Sequence, residues 1–525
     1  MKPSFPSIGE VVKAILDCSG IIVGGLEDES GSNRKSQQKM LSRLAREEGD
    51  LNGNLKAIFE LVREYLKLYL TEPKVIDTIM LCFEELVGEY RRVQTTEGTY
   101  LSKKGTIRWL IKARFIDIFV YSFHRNSHFY NVSSLSLNLP SGAWWLPSSN
   151  ESSLTKAWNW IYQRFGLSQT KFHDPSLSFA EEAKLPPKLH SHRRKQNLEN
   201  AQRWTSSKAL PSLSSLITNL EQSIEVHRLV SGIHVSKVER ESYLLVLMIA
   251  RLSTSAFGRI NNAYGIEFSK TLSRHFYGQD RRLREELSYF VKNVQQQIID
   301  ENVTDPDSKD WVWKNETDSF WRCRASWVRS GIAELKSMHR QYGPQLSTNE
   351  WIRASCNKIT PFVTFSEIQA TKETNKNVPP DDFFEMMETG FKLKKRINSK
   401  KDIAIYAAKI GDMGLAPYLG WLVDWCYATW YYRLEQDDLA YPFYKSAYES
   451  ARYSVGQSHY ALVNQYIESC AKNGKRREFN KVVAWAYYLG LKVRWIRDDY
   501  YKDQKNAIEF GYQMFSRINA RYAII

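Results

Sequence analysis

An arginine followed a few residues later by a histidine sets a cation and a proton carrier close together, a pair suited to acid–base work beside a phosphate. The histidine gives or takes a proton, and the guanidinium stabilises the crowded, negatively charged phosphorane. The 525-residue chain holds two such runs, Arg452–His459 and Arg228–His234. Random placement of its arginines and histidines gives about two, so their number selects nothing. Context favours the first run, which lies in a helical C-terminal region with Tyr460 after the histidine, although Gly456 puts a turn between the partners. Other chemistry is sparse. The sequence has no Walker phosphate loop, no Gly-rich dinucleotide fingerprint, no His-Glu-x-x-His and no Gly-x-Ser-x-Gly. Adjacent carboxylates at Asp381-Asp382, Asp437-Asp438 and Asp498-Asp499 point in different directions, and capping of helix starts explains them. His190 and His192 have no further ligand type placed to complete a metal site, and the six cysteines form no Cys-x-x-Cys pair. No metal and no cofactor are expected.

Charge gives a second lead. Lys plus Arg number 73 against 58 for Asp plus Glu, a formal net charge of +15, and such a surplus draws phosphate-bearing or acidic partners. It is concentrated in places. Arg193, Arg194 and Lys195 form one basic cluster in a Pro-containing connector, and Gln202, Arg203 and Lys208 follow it. The densest run is Lys392–Lys401, KLKKRINSKK, which contains Lys394, Lys395 and Arg396. It reads either as a phosphate-contacting patch or as a solvated loop.

The stretch Leu198–Leu220, LENAQRWTSSKALPSLSSLITNL, orders Arg203-Trp204, then Ser207-Lys208, then Pro211-Ser212-Leu213. Residues 198–220 resemble the second half of a Cro/repressor-type helix-turn-helix, with FAEEAKLPPKL at Phe179–Leu189 as its first half. The resemblance implies that the helix carrying Gln202 and Arg203 faces a DNA major groove, with Arg193, Arg194 and Lys195 on phosphates. The Arg452–His459 spacing is similar to that of HEPN-type helical ribonucleases, which implies acid–base work for His459 and phosphorane stabilisation by Arg452.

The elements that must position these residues are all helical. Leu415–Tyr432, LAPYLGWLVDWCYATWYY, is apolar or aromatic all the way round, so other helices must enclose it. Asp424 in mid-segment and the many rings argue against a membrane span. Tyr444/Ala447/Tyr448/Ala451, Val463/Tyr466/Ile467/Cys470 and Phe479/Val482/Val483/Ala486 give three successive apolar stripes. Residues 437–495 therefore resemble tetratricopeptide-type helical hairpins. Tyr243–Ala250 reads as buried core. Trp144 and Trp145, between Pro140 and Pro147, read as a plug on their own domain. Gly24–Ser36 reads as a polar loop, the segment from Trp321 to Gln341 as a helix, Pro361–Ile368 as a short strand or connector, and Ala370–Asp382 as a linker.

The expected architecture is all-α and multi-domain. It comprises an N-terminal helical bundle (1–127), an irregular Trp-rich connector (128–176), a helix-turn-helix-like region (177–225), a long-helix middle domain (226–345), a linker (346–382) and a C-terminal helical-hairpin unit (383–525). With no secretory signal and no paired cysteines, a cytoplasmic location is expected. The function read from these features is a non-catalytic nucleic-acid-associated or complex-forming factor. Its basic middle would contact DNA or RNA and its C-terminal helices a protein partner. A HEPN-type ribonuclease and a purely structural scaffold are the alternatives.

Overall fold

Serine starts many of the helices. Ser7, Ser102, Ser152, Ser168, Ser212 and Ser236 each accept the backbone N–H three residues on, satisfying one of the donors that a helix start leaves open. The computed structural model describes residues 4–21, 32–322 and 382–517, apart from positions 97–98, 100, 136, 149, 207, 398, 453–454, 497–499 and 501–502. Among these residues the fold is all-α, with no strand.

The N-terminal helices are α1 (Ile8–Ser19), α2 (Ser32–Ala45), α3 (Leu51–Lys67), α4 (Pro73–Thr96), α5 (Lys103–Leu110) and α6 (Ile116–Phe129), with one π-helical turn, Ile111–Phe115, joining the last two. Then come α7 (Ser153–Phe165), α8 (Gln169–His173), α9 (Phe179–Glu182), α10 (Ser191–Thr205), α11 (Leu213–Ser231), α12 (Lys237–Tyr264) and α13 (Ile266–Asp300), and a helical segment at 306–322. The C-terminal helices are α14 (Phe383–Lys395), α15 (Lys400–Asp412), α16 (Ala416–Arg433), α17 (Asp437–Ala451), α18 (His459–Lys472), α19 (Arg476–Tyr488) and α20 (Gln504–Arg517).

Helix α12 is the spine of the first half. Its segment Tyr243–Ala250 is buried except for Ile249, and it packs on α1, α7, α11 and α13. Helices on either side of the sequence-drawn boundaries at 127 and 226 thus share one core. Among the described residues α12 alone is long and apolar enough to cross a membrane by composition, yet it carries two buried charges. Glu241 accepts hydrogen bonds from the Thr71 hydroxyl (2.6 Å), the Glu72 N–H (2.8 Å) and the Thr71 N–H, which caps the approach to α4. Arg251, 3% exposed, donates to the carbonyls of Pro211 (2.9 Å), Asp17 (3.4 Å) and Cys18. Burial pushes its guanidinium down to about 10. Gly20 makes this possible: it ends α1 at φ +78°, and a Cβ there would lie 2.3 Å from the Arg251 guanidinium carbon.

Helices α6 and α13 lie side by side and advance in the same direction. Asp117 meets His275 at 3.1 Å, the Phe119 and Phe276 rings meet edge-on at 5.7 Å, and His124 meets Asp280 at 2.8 Å. Trp145 lies 4.4 Å from the ring of Phe276, and Trp144 packs on the main core. Both indoles are half-buried, the plug that their flanking prolines suggest.

In the C-terminal half, no residue of α16 between Tyr418 and Tyr432 is exposed. Helices α14, α15 and α17 enclose it. Asp424 survives there because the Ser446 hydroxyl donates to it at 2.6 Å, while burial pushes its carboxyl above the usual range. Glu478 ties three helices together. Burial opposes its charge, but donors from Tyr441 and Lys445 on α17 (the latter at 2.9 Å) and from Tyr466 on α18 (2.9 Å) outweigh that and hold it at about 2.

Two local expectations are corrected. The polar stretch through Ser36 gives way to helix already at Ser32, because Leu41 and Leu44 bury a face that draws the preceding turns into α2. The expected first helix at Phe179–Leu189 is only the single turn α9 followed by a 3-10 turn, Pro187–Leu189. Pro186 and Pro187 forbid its continuation. Trp327 and the helix to Gln341, Pro361–Ile368, and the Ala370–Asp382 linker up to residue 381 lie outside the described residues.

The Arg251 clamp is testable. Arg251→Ala leaves three carbonyls unpaired in the core and is expected to cost about 2–4 kcal/mol, read as a lower urea midpoint. Gly20→Ala is expected to act in the same direction. An Arg251→Ala protein that unfolds at the same urea concentration as the parent contradicts the clamp.

Candidate functional site

The Arg452–His459 pair is not a cleavage site in this fold. His459 is buried at the start of α18, with Nδ1 3.1 Å from the Gly456 carbonyl and Nε2 2.8 Å from the Arg452 carbonyl. Both nitrogens therefore face backbone of the α17–α18 turn. The Arg452 guanidinium pairs with Glu47 and lies 4.8 Å from the Trp485 ring centroid. The ring that should move protons is sealed, and the cation that should meet phosphate holds the N-terminal and C-terminal halves together. Arg228 pairs with its own-helix neighbour Glu225 at 2.7 Å, while His234 sits in the loop after α11.

The first basic cluster divides. Arg194 is 5% exposed and committed to Asp174 (3.1 Å), Glu182 (2.6 Å) and the Leu189 carbonyl (3.2 Å). It is an internal strut, not the surface phosphate contact expected from sequence. Its carboxylate partners lie 12 and 20 residues away, beyond what helical periodicity can pair. Arg193 is half-buried and donates to Gln222 and Gln196. Lys195, Gln202, Arg203 and Lys208 are exposed. Lys195 and Gln202 share a face of α10 with the acidic Glu199 between them. Trp204 turns inward to the core, and Ser212 caps α11 just after Pro211.

The second cluster is gathered by the fold. Helix α14 ends at Lys395, and the turn to α15 folds over the C-terminal end of α16. Lys394 lies 4.3 Å from the Trp425 ring centroid and Lys400 4.6 Å from that of Tyr431. Arg433, the last residue of α16, donates to the Lys395 carbonyl at 3.1 Å. Lys395, Arg396, Lys400, Lys401 and Arg433 are exposed and Lys394 is half-buried. Two acidic residues close by on α14 and α15 are already used. Glu388 pairs with Lys392 at 2.8 Å, and Asp402 closes a capping box with Ser399. Among the described residues no carboxylate pairs with Lys394, Lys395, Lys400 or Arg433. Burial, with Arg433 and Lys395 close by, pushes the Lys394 ammonium down to about 8.

Sequence reading named Lys394, Lys395 and Arg396 but missed Arg433. Thirty-eight positions separate Arg433 from its carbonyl partner. The available signal was its position directly after the aromatic run, where the helix must stop being enclosed. Also missed was His173, buried between the Tyr162 hydroxyl and the Ser223 hydroxyl, each at 2.9 Å. With burial and the neighbouring His227 pushing it to about 3, this Ser–His–Tyr chain is a neutral internal network. Among the described residues no group of His, Cys, Asp and Glu could hold a metal ion.

The sealed histidines set an acid limb to stability. The unfolded chain protonates each histidine near 6.5, whereas burial holds folded His459 at about 4. As pH falls between these values the unfolded state alone gains the proton, at a cost on the order of 3 kcal/mol for His459 when complete. Glu478 adds its own loss only below its unfolded value of 4.5. The melting temperature is expected to fall from pH 6.5 to pH 4.5, and less steeply in His459→Asn. A flat profile over that range contradicts the burial. In comparisons with known protein families, with characterised proteins and with solved structures, nothing matches this chain.

Proposed function

We propose that the protein is a non-catalytic nucleic-acid-associated factor whose principal contact with nucleic acid is the basic turn between α14 and α15. The observation that carries this reading is the gathering of Lys394, Lys395, Lys400 and Arg433 along the C-terminal half of α16, with Arg396 exposed in the same turn and Glu388 and Asp402 used elsewhere. A surface of that kind attracts phosphates and releases their counterions, giving affinity that falls steeply with salt. The exposed residues Lys195, Gln202 and Arg203 of α10, with Lys208 in the loop after it, supply a second and weaker contact, because Glu199 interrupts them and Arg194 is withdrawn. The C-terminal unit also exposes Phe384, Ile405, Met413, Leu434 and Leu439. These side chains support a protein partner on the same unit.

Binding to labelled duplex DNA, single-stranded DNA and RNA across a salt series tests the reading. Lys395→Glu with Arg396→Glu is expected to weaken binding about tenfold at low salt and to lower the salt slope by about two. Lys195→Glu, Arg203→Glu and Lys208→Glu together are expected to act less. Binding indifferent to both sets of changes, or no binding at low salt, ends the proposal.

A further inference from the structure

Three like charges crowd together at the end of α14. Arg433 and Lys395 both raise the cost of charge on Lys394. Among the described residues no carboxylate repays that cost, and the C-terminal ends of α14 and α16 supply only partial negative charge. The arrangement is nonetheless held in place. Arg433 is fixed by its bond to the Lys395 carbonyl, and Lys394 by the face of Trp425, itself 1% exposed. A cluster of cations fixed before any partner arrives lowers the ordering cost of binding an anion.

The rings at this site are already occupied. Trp425 is buried and donates its indole N–H to Gln465. Tyr431 carries the Lys400 ammonium and stacks on Phe443 at 5.6 Å, and Tyr427 lies against the same Phe443 at 5.1 Å. An incoming base would have to displace a cation or a packed ring before it could stack. What remains available is charge and N–H donors.

We propose that Lys394, Lys395 and Arg433 form a single phosphate site that grips a nucleic-acid backbone phosphate by charge alone, without base stacking. The site therefore favours no sequence, and it accepts duplex as well as single strands. This inference deepens the functional reading given above and rests on it for the source of the phosphate.

A consequence separates the site from an ordinary basic surface. Burial and its two cationic neighbours depress Lys394 to about 8. A phosphate beside it reverses that, so the site takes up a proton as it fills, and binding strengthens as pH falls through 8. The groups around Lys394 are Lys395 on its own helix and Cys426 and Arg433 on α16. Helix α15 adds Lys400, over Tyr431, and Tyr406, which donates to the Met386 carbonyl. Cys426 and Tyr406 are pushed upward by burial and stay neutral in this range, so the pH step belongs to Lys394.

The test measures affinity of the full chain for a blunt DNA duplex of arbitrary sequence and for inorganic tripolyphosphate, at constant salt. From about pH 7 to about pH 9 the parent is expected to lose about tenfold in affinity. Lys394→Arg keeps its charge throughout and is expected to bind with no step. Lys394→Met, which keeps the packing on Trp425, is expected to bind weakly and also with no step. A step with tripolyphosphate but no duplex binding keeps the site and removes nucleic acid as the source of the phosphate. Duplex binding without a step, or a step that persists in Lys394→Arg, overturns the site while leaving the broader reading in place. Binding of neither probe overturns both. Should Lys394→Met fail to fold, the comparison of parent with Lys394→Arg decides alone.

Discussion

The first half of this molecule depends on one buried cation. Arg251 enters the core without a carboxylate bonded to it and is satisfied by three backbone carbonyls from two distant segments. Two of those carbonyls belong to the last turn of α1, where the helix leaves its C=O groups unpaired and its dipole presents negative charge. The cost of burying a guanidinium is therefore offset by groups that would otherwise be orphaned. That exchange fixes the end of α1, the entrance to α11 and the register of α12 together. Gly20 is the geometric condition for it, since any side chain there would occupy the guanidinium's space.

The second half meets the same problem, cations beside apolar surface, with a different partner. Lys394, Lys400, Lys472, Arg452 and Arg476 each lie within 5 Å of a ring centroid, those of Trp425, Tyr431, Tyr432, Trp485 and Tyr512. The aromatic content of α16–α20 gives these helices a surface on which long basic side chains can lay their stems and keep charge near solvent. Some of the cations also hold carboxylates: Lys472 pairs with Glu468, Arg452 with Glu47 and Arg476 with Glu509. Among the described residues Lys394 and Lys400 hold none.

The helical class and the enclosure of α16 were legible because the sequence of Leu415–Tyr432 offers no polar face to water. The Pro-Ser start of α11 was legible for a local reason as well, since capping is read within four residues. What escaped has a common physical cause. Arg194, Arg251 and Arg433 look alike in a sequence, yet one is an internal strut, one a core clamp and one a surface cation. Which role each takes depends on partners 5 to 234 positions away. The same holds for His459, whose spacing to Arg452 suggests chemistry and whose burial removes it. Spacing along one helix reports which residues share a face, and it is silent on whether that face is covered.

The cationic turn between α14 and α15 is better understood as a problem of allocation than of composition. The chain has 58 acidic residues, ample to neutralise one turn. Elsewhere they are placed with care: Glu478 binds three donors across α17 and α18, Asp280 joins α6 to α13, and Glu241 caps the approach to α4. At the α14–α15 turn two nearby carboxylates are committed elsewhere, Glu388 to Lys392 and Asp402 to a helix start. The C-terminal ends of α14 and α16 offset part of that charge, since each presents unpaired carbonyls and the negative end of its dipole to these cations. Among the described residues the turn thus sets full cationic charges beside only the partial negative charge of two helix ends, and that imbalance is the physical basis of the phosphate contact proposed above.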